Sequence, residues 1–232
     1  MPEPLPVSVI IPTLNEEKCI AKLLQSLGRI DNIEIIVSDG GSEDKTASIC
    51  ANYPVIFIKT SPGRGPQLNA GAAAATREIL FFIHADSEIE PGLINDICRT
   101  VEAGRQWGCC SLEFDNKAVI FRLIAWFSNL RARLFSSCYG DQGIYCCHDL
   151  FHEVGAYPGT AFLEDIALSD CLRRSSRAGV LKSHITSSSR RFKQQGILRT
   201  LVKMQVVKIM YRLGVKPESL VKWYRPGRGD KL

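Results

Sequence analysis

The chain of 232 residues lacks the signatures by which nucleotide phosphates are most often held in a backbone loop. No G-x-x-x-x-G-K-[ST] run occurs, which excludes a P-loop. The first apolar run, Val7–Ile11, leads into Pro12-Thr13-Leu14-Asn15 without a glycine, which excludes a G-x-G-x-x-G turn and argues against a nucleotidyltransferase that cradles a triphosphate there. Long hydrophobic runs are missing too, none approaching the roughly 18 residues that span a bilayer. The start, Pro2-Glu3-Pro4, has neither the basic nor the apolar region of a signal peptide. No C-x-x-C occurs among the nine cysteines. Cys109–Cys110 and Cys146–Cys147 are adjacent pairs, and neighbours on a strand point to opposite faces. These absences predict reduced core thiols and a cytoplasmic protein. There is no internal repeat and no low-complexity linker.

What is present is an ordinary globular composition, 45% hydrophobic and 23% charged, long enough for a sizeable core. The net charge of +5 suits an anionic small partner or an acidic membrane surface and is too small to indicate nucleic acid. The first hundred residues alternate β-rich runs (Val7–Ile11, Ile33–Val37, Val55–Ile58, Ile79–Ile83) with helical segments: one starting at Asn15-Glu16-Glu17 and carrying Leu23, Leu24 and Leu27, one from Lys45, and one rich in alanine reaching Ala75. Near-continuous apolar strands alternating with helices predict an α/β fold, with a mostly parallel central sheet covered by helices on both faces. Ligands of such sheets bind beyond the carboxyl ends of the strands. Asn15-Glu16, Asp39 and Asp86 fall at three of those ends.

Cys109–Phe114 and Ile144–Cys147 read as further strands. Val119–Phe135 has helical periodicity, at about 100° per residue. Ile120, Leu123, Ile124, Phe127, Leu130 and Leu134 make its apolar stripe, with Arg122 and Arg133 opposite and Phe121 off the stripe. Arg131 lands inside the apolar sector, which demands a partner. A second basic amphipathic helix is predicted from Ile197 to Leu213. Residues 1–225 are expected to form one domain, with a donor half to about 115 and an acceptor half beyond it, and 226–232 a tail.

Five segments in order, Ser8–Glu17 (SVIIPTLNEE), Ile36–Thr46 (IVSDGGSEDKT), Gly63–Gly71 (GRGPQLNAG), Phe82–Ser87 (FIHADS) and Phe162–Asp165 (FLED), resemble the motifs of family 2 glycosyltransferases. Gly140–Gly143 (GDQG) and Ser187–Phe192 (SSSRRF) resemble a subgroup of small, single-domain bacterial-type members. The resemblance implies the A-type glycosyltransferase fold, a Rossmann-like architecture for nucleotide-diphospho-sugars. The implied reaction is inverting transfer from a UDP- or GDP-sugar to an acceptor hydroxyl. Carried onto this chain, Pro12, Asn15 and Glu16 would line the nucleoside pocket, Asp39 would bond the base, Asn69 would lie beside the donor and Arg64 would pair with the diphosphate. His84-Ala85-Asp86 occupies the place of a D-x-D metal motif. Asp86 is the implied ligand for Mg²⁺ or Mn²⁺, with His84 admissible to Mn²⁺. Glu164-Asp165 matches the catalytic pair, with Asp165 as general base. Asp141, Gln142 and Arg131 fall on the acceptor side, and Arg190 and Arg191 stand where a cation would meet the leaving diphosphate. A nucleotidyltransferase on a related fold and a non-catalytic nucleotide-sugar-binding protein remain as alternatives. The two basic helices leave a lipid-linked acceptor, and peripheral contact at the inner face of a membrane, open.

Overall fold

A computed structural model describes residues 5–159 and 162–224, the side chains of Arg191 and of residues 222–224 excepted. The expected tail at 226–232 lies outside the described residues. The βα alternation is present: β1 (Val7–Thr13), α1 (Ile20–Leu27), β2 (Ile33–Asp39), α2 (Thr46–Cys50), β3 (Ile56–Lys59), α3 (Arg64–Ala74) and β4 (Ile79–Phe82). There follow β5 (Glu88–Ile89), α4 (Leu93–Glu102), β6 (Trp107–Phe114), α5 (Val119–Phe135), β7 (Ile144–Cys147), α6 (His148–Glu153), α7 (Glu164–Ser175), β8 (Gly179–Ser187), α8 (Arg190–Gln195), α9 (Ile197–Arg212) and α10 (Pro217–Tyr224).

One sheet of eight strands runs β3-β2-β1-β4-β7-β6-β8-β5. β1 to β4 are mutually parallel, β7 enters antiparallel between β4 and β6, and β6 and β8 are again parallel. Six strands therefore share one direction, and only β7 and the two-residue β5 oppose them. Both faces are buried, as the apolar runs require. Val9 and Ile11 point into a layer closed by α1 and α4, whereas Ile10 points into the layer formed with α3, α6 and α7. β1 lies between β2 and β4, so the chain reverses its direction of travel across the sheet there, and a crevice opens at the strand ends.

Three details depart from expectation. β1 and β2 continue two residues further, to Thr13 and Asp39, so Pro12 and Asp39 belong to the sheet itself. α1 begins at Ile20 rather than at Asn15: Asn15 takes a left-handed φ of 57°, and its Oδ1 accepts from the backbone N–H of Glu43 across the crevice, which turns the chain before the helix. α5 has the predicted bounds and the opposite orientation. Its sheet-facing side is Phe121, Ala125 and Ala132, with Asn129 bonding both the N–H and the C=O of Leu112. The predicted stripe is turned outward, with Leu123, Phe127 and Leu134 exposed.

The cysteines are all free, and six of the nine are buried. Burial holds the Cys109, Cys110 and Cys146 thiols well above their ordinary range, so they pack as small apolar groups. Among the described residues no helix is long and apolar enough to cross a membrane.

Candidate active site

The loops after β1 and β2 are laced together beyond the sheet. Asn15 N–H donates to Ser42 Oγ (2.9 Å), Glu16 N–H to Thr46 Oγ1 (2.9 Å) and Glu17 N–H to Asp44 Oδ2 (3.0 Å), while Lys45 N–H donates back to Glu17 (3.1 Å). Asp39, 3% exposed, organises this region. It accepts from Thr13 Oγ1 (2.9 Å), from the N–H groups of Gly41 (3.0 Å) and Ser42 (2.8 Å), and from the Ser42 hydroxyl. Four donors fill a carboxylate's acceptor sites. A bond from Asp39 to a base therefore displaces one of them.

Gln67 adds support on the α3 side, its amide donating to the carbonyls of Thr13 and Ser38 (both 2.8 Å). Asn69, expected beside the donor, is committed elsewhere. Its amide donates to Tyr157 C=O (2.8 Å) and its oxygen accepts from Tyr157 N–H (3.0 Å), so it clamps the segment before α7.

At the end of β4 stands His84. Burial, and then the Arg64 guanidinium, hold its pKa well below 6.5, so the imidazole is neutral at physiological pH. Arg64, the first residue of α3, places Nη2 against the His84 ring and Nε 3.2 Å from Glu164 Oε1. A ring engaged in this way positions Arg64. Two residues on, Asp86 is half-buried, and its carboxylate has no hydrogen bond or ion pair among the described residues. Burial and then the field of Asp86 push Glu16 up, while Arg190 pulls it down, so Glu16, Asp86 and Arg190 share one electrostatic neighbourhood at the β1 and β4 ends. The side chain of Arg191 lies outside the described residues.

Asp165 sits in the first turn of α7, after Leu163 at a left-handed φ of 61°. A bulky residue there is strained, and such strain concentrates at functional sites. Asp165 Oδ2 accepts from Gly140 N–H (2.8 Å) and Oδ1 from Ile166 N–H (2.8 Å), which fixes the carboxylate's orientation. Gly140 has no room for a side chain: a Cβ there would lie 2.7 Å from Arg64 Nη2, 3.2 Å from His84 Nε2 and 3.3 Å from Asp165 Oδ2. Residues from β4, α3, the Gly140–Gln142 turn and α7 thus converge within a few ångströms.

Of the other wall, Arg131, Asp141 and Gln142 were named from the sequence, whereas Tyr139 and Lys208 were not. Arg131 finds the partners its place in an apolar sector demanded. Nε donates to Ser137 C=O (2.9 Å), Nη2 to Gln142 Oε1 (2.5 Å), and the guanidinium lies 3.3 Å from the Tyr139 ring centre. Lys208 of α9 covers the same ring at 4.4 Å. Burial and then the Arg131 charge lower Lys208 to about 8, against pulls upward from Asp141 and Asp165. Asp141 is pushed up by burial, and its Oδ1 is buried without a hydrogen-bond partner among the described residues. A buried acceptor without a partner is uncommon and marks this turn as a candidate part of the site. Gln142 is fully buried and holds this turn together through Arg131.

Because the folded-state pKa of Lys208 lies below its ordinary 10.5, protonated Lys208 costs stability at neutral pH, and the cost is relieved between about pH 8 and 10.5, where the unfolded chain holds more protons. Lys208→Met is therefore expected to raise the thermal midpoint at pH 7, with an advantage that shrinks across that window. Calorimetric scans at stepped pH check this, and a pH-independent difference would remove the buried-charge account.

The residues at the strand ends fit a divalent cation carried by a substrate. Among the described residues no three His, Cys, Asp or Glu side chains form a metal cage. Mg²⁺ nevertheless binds commonly through one or two carboxylates plus substrate phosphates, and unengaged Asp86 is such a carboxylate. A surface depression of about 810 Å³ lies elsewhere, between Ser26–Asn32 and Ile89–Asn95. It contains none of the converging side chains, so geometry and chemistry favour the strand ends.

Comparison with known proteins agrees with this geometry. The model described as glycosyl transferase family 2 matches residues 8–150. The GalNAc(5)-diNAcBac-PP-undecaprenol β-1,3-glucosyltransferase of Campylobacter jejuni is 29% identical over 119 residues, 46% of this chain and 38% of that one. The chain matches less than half the length of the curated relatives it resembles. Staphylococcus aureus TarS 1–349 in complex with UDP-GlcNAc superposes with a TM-score of 0.65 at 20% identity, covering 79% of this chain and 58% of that one. Glucosyl-3-phosphoglycerate synthase of Mycobacterium tuberculosis, with Mn²⁺, UDP and product, gives 0.64 at 20% identity, covering 91% and 81%. These two structures speak to the fold, and the match over more than half of the residues speaks to descent: this chain belongs to glycosyl transferase family 2.

Proposed function

We propose that the chain transfers a sugar from a nucleoside-diphosphate donor, a UDP- or GDP-sugar, to an acceptor hydroxyl with inversion at the anomeric carbon. The observation that carries this reading is the single cluster made by Asp165, Glu164, Arg64, His84 and Gly140, set beside the laced β1–β2 loops. The UDP-GlcNAc complex of TarS and the Mn²⁺–UDP complex of the M. tuberculosis synthase support the donor class.

The acceptor hydroxyl lies against Asp165, with Asp141 accepting a second hydroxyl. Asp165 takes the proton as the acceptor oxygen forms its bond to the anomeric carbon. The bond from that carbon to the diphosphate breaks, and the nucleoside diphosphate leaves with the electron pair. Arg64 and Arg190 supply positive charge where the negative charge accumulates. Neutral His84 keeps Arg64 aimed without competing for it as a second cation. A divalent cation held by Asp86 and the diphosphate would supply further charge neutralisation. The acceptor carries its hydroxyl in from the Tyr139 side, past Arg131 and Lys208, which suits an acceptor with an anionic group. The undecaprenol-linked substrate in the Campylobacter relative's name supports a lipid-linked one.

The test is a donor screen: purified protein, Mn²⁺ or Mg²⁺, and a panel of nucleotide sugars, with released nucleoside diphosphate as the readout and chelator as a second arm. Donor-specific release that chelator abolishes is the expected result. Released pyrophosphate would assign a nucleotidyltransferase, and donor binding without any release or transfer would leave a binding protein.

A further inference from the structure

Two helices present long apolar side chains to solvent at the same spacing. On α5, Val119, Leu123, Phe127 and Leu134 lie on one face, with Trp126 beside them. Phe127 is 63% and Trp126 56% exposed. On α9, Leu198, Val202, Ile209 and Leu213 repeat the pattern along the helix and just past its end, Leu198 at 76% and Leu213 at 79%. The expected two-faced α9 is thus replaced by a helix that is apolar outward as well as inward. Both helices pack on one cluster, where Phe121 and Ala125 of α5 meet Ile197, Leu201 and Met204 of α9 around Leu112 and Phe192. Single exposed apolar residues are ordinary, whereas two ordered stripes are not.

The charge carried by the two helical segments themselves has one sign. Residues 116–140 carry four basic side chains and no acidic one, and residues 190–216 carry eight and none, in a chain with 24 acids against 29 Lys and Arg. A second copy is a poor occupant, since an isologous contact would oppose two all-basic faces with nothing to pair. An anionic bilayer surface matches both features: it takes exposed Trp, Phe and Leu into the headgroup–acyl boundary and attracts the basic residues beside them. We infer that the α5–α9 face docks on an anionic lipid bilayer. The same two helices bring Arg131 and Lys208 onto the Tyr139 ring at the candidate acceptor entrance, so docking sets that entrance against the membrane. This last consequence rests on the transferase reading, and docking itself does not.

The experiment is flotation of the purified chain with phosphatidylcholine vesicles, with and without about 30% phosphatidylglycerol. Wild type and Asp165→Asn are expected to float with anionic vesicles and to stay behind with neutral ones. Leu123→Ser/Phe127→Ser is expected to cut the floated fraction about tenfold or more, because two membrane-facing apolar side chains are lost. Both side chains are exposed, so its thermal midpoint should match wild type. Independently of folding variants, Trp126 emission should shift to the blue on adding anionic vesicles, and Trp126→Phe should lose that shift. Absence of flotation at low salt, or unchanged flotation of the double variant, overturns docking. So does a wild-type dimer that the double variant dissociates, which gives the face to a second copy. Transfer without flotation would sink docking alone, and flotation without transfer would sink only the transferase reading.

Discussion

Asp165→Asn is expected to abolish sugar transfer while leaving donor binding intact. General base assistance contributes about 10²- to 10⁴-fold, and an amide cannot take the acceptor proton. The substitution is nearly isosteric. Its amide oxygen can still accept the Gly140 N–H, so the turn that carries Asp141 and Gln142 should keep its place. Calorimetric titration with nucleoside diphosphate should return a dissociation constant within about twofold of wild type, because the proposed reaction assigns the donor's phosphates to Arg64 and Arg190 and not to Asp165. Loss of donor affinity in parallel with transfer would mean that Asp165 holds the nucleotide side together and is not the base. Retained transfer would move the base elsewhere, with Asp141 next in line because it lies in the field of Asp165 and has a buried oxygen without a hydrogen bond among the described residues.

Gly108→Ala is expected to unfold the chain at working temperature, or to lower its stability by roughly 3 kcal/mol or more. Gly108 of β6 pairs with Gly179 of β8, and Tyr145 of β7 lays its hydroxyl between them, donating to Gly179 C=O at 2.7 Å. A Cβ on Gly108 would stand 1.9 Å from that carbonyl oxygen and 2.6 Å from the tyrosine hydroxyl. A backbone carbonyl cannot swing aside as a flexible side chain can, so relief requires parting β6 from β8. Separation of those strands detaches β8 and β5 from the rest of the sheet and exposes buried Trp107. Tyr145→Phe, which removes only the hydroxyl, should cost about 1 kcal/mol. Chemical denaturation of the two variants separates crowding from a lost hydrogen bond, and equal losses would contradict the backbone-clash account.

The strand-end side of the candidate site was readable because its signals are local. Apolar runs that end in polar residues mark strand ends, and β1, β2 and β4 carry Asn15-Glu16, Asp39 and Asp86 there. The opposite wall was readable only in part: Asp141 and Gln142 stand in a motif, whereas Tyr139 and Lys208 meet through tertiary packing alone and neither does. Arg131 was half-visible: an arginine in an apolar sector signals an unseen partner without naming it. α5 shows a different limit. Periodicity located its ends and its apolar stripe, but a stripe records which residues share a face and not whether protein or something else covers it. Here Phe121 and two alanines suffice for the inner contact, since small side chains let the helix lie close to β6. Asn69 and Asp39 illustrate a third limit, because residue type cannot tell whether a polar group's bonds are already taken.

The hydrogen bonds that lace the β1 and β2 loops have a thermodynamic consequence. Loops that wrap a nucleotide usually lose their freedom when it arrives, and binding weakens by that amount. In this protein Asn15, Glu17, Asp44 and Thr46 order the rim of the crevice through each other, before any ligand is present. The ordering entropy falls on folding instead of on recognition, so under the proposed reaction a donor meets a rim already ordered, the Asp39 bonds that a base would displace excepted.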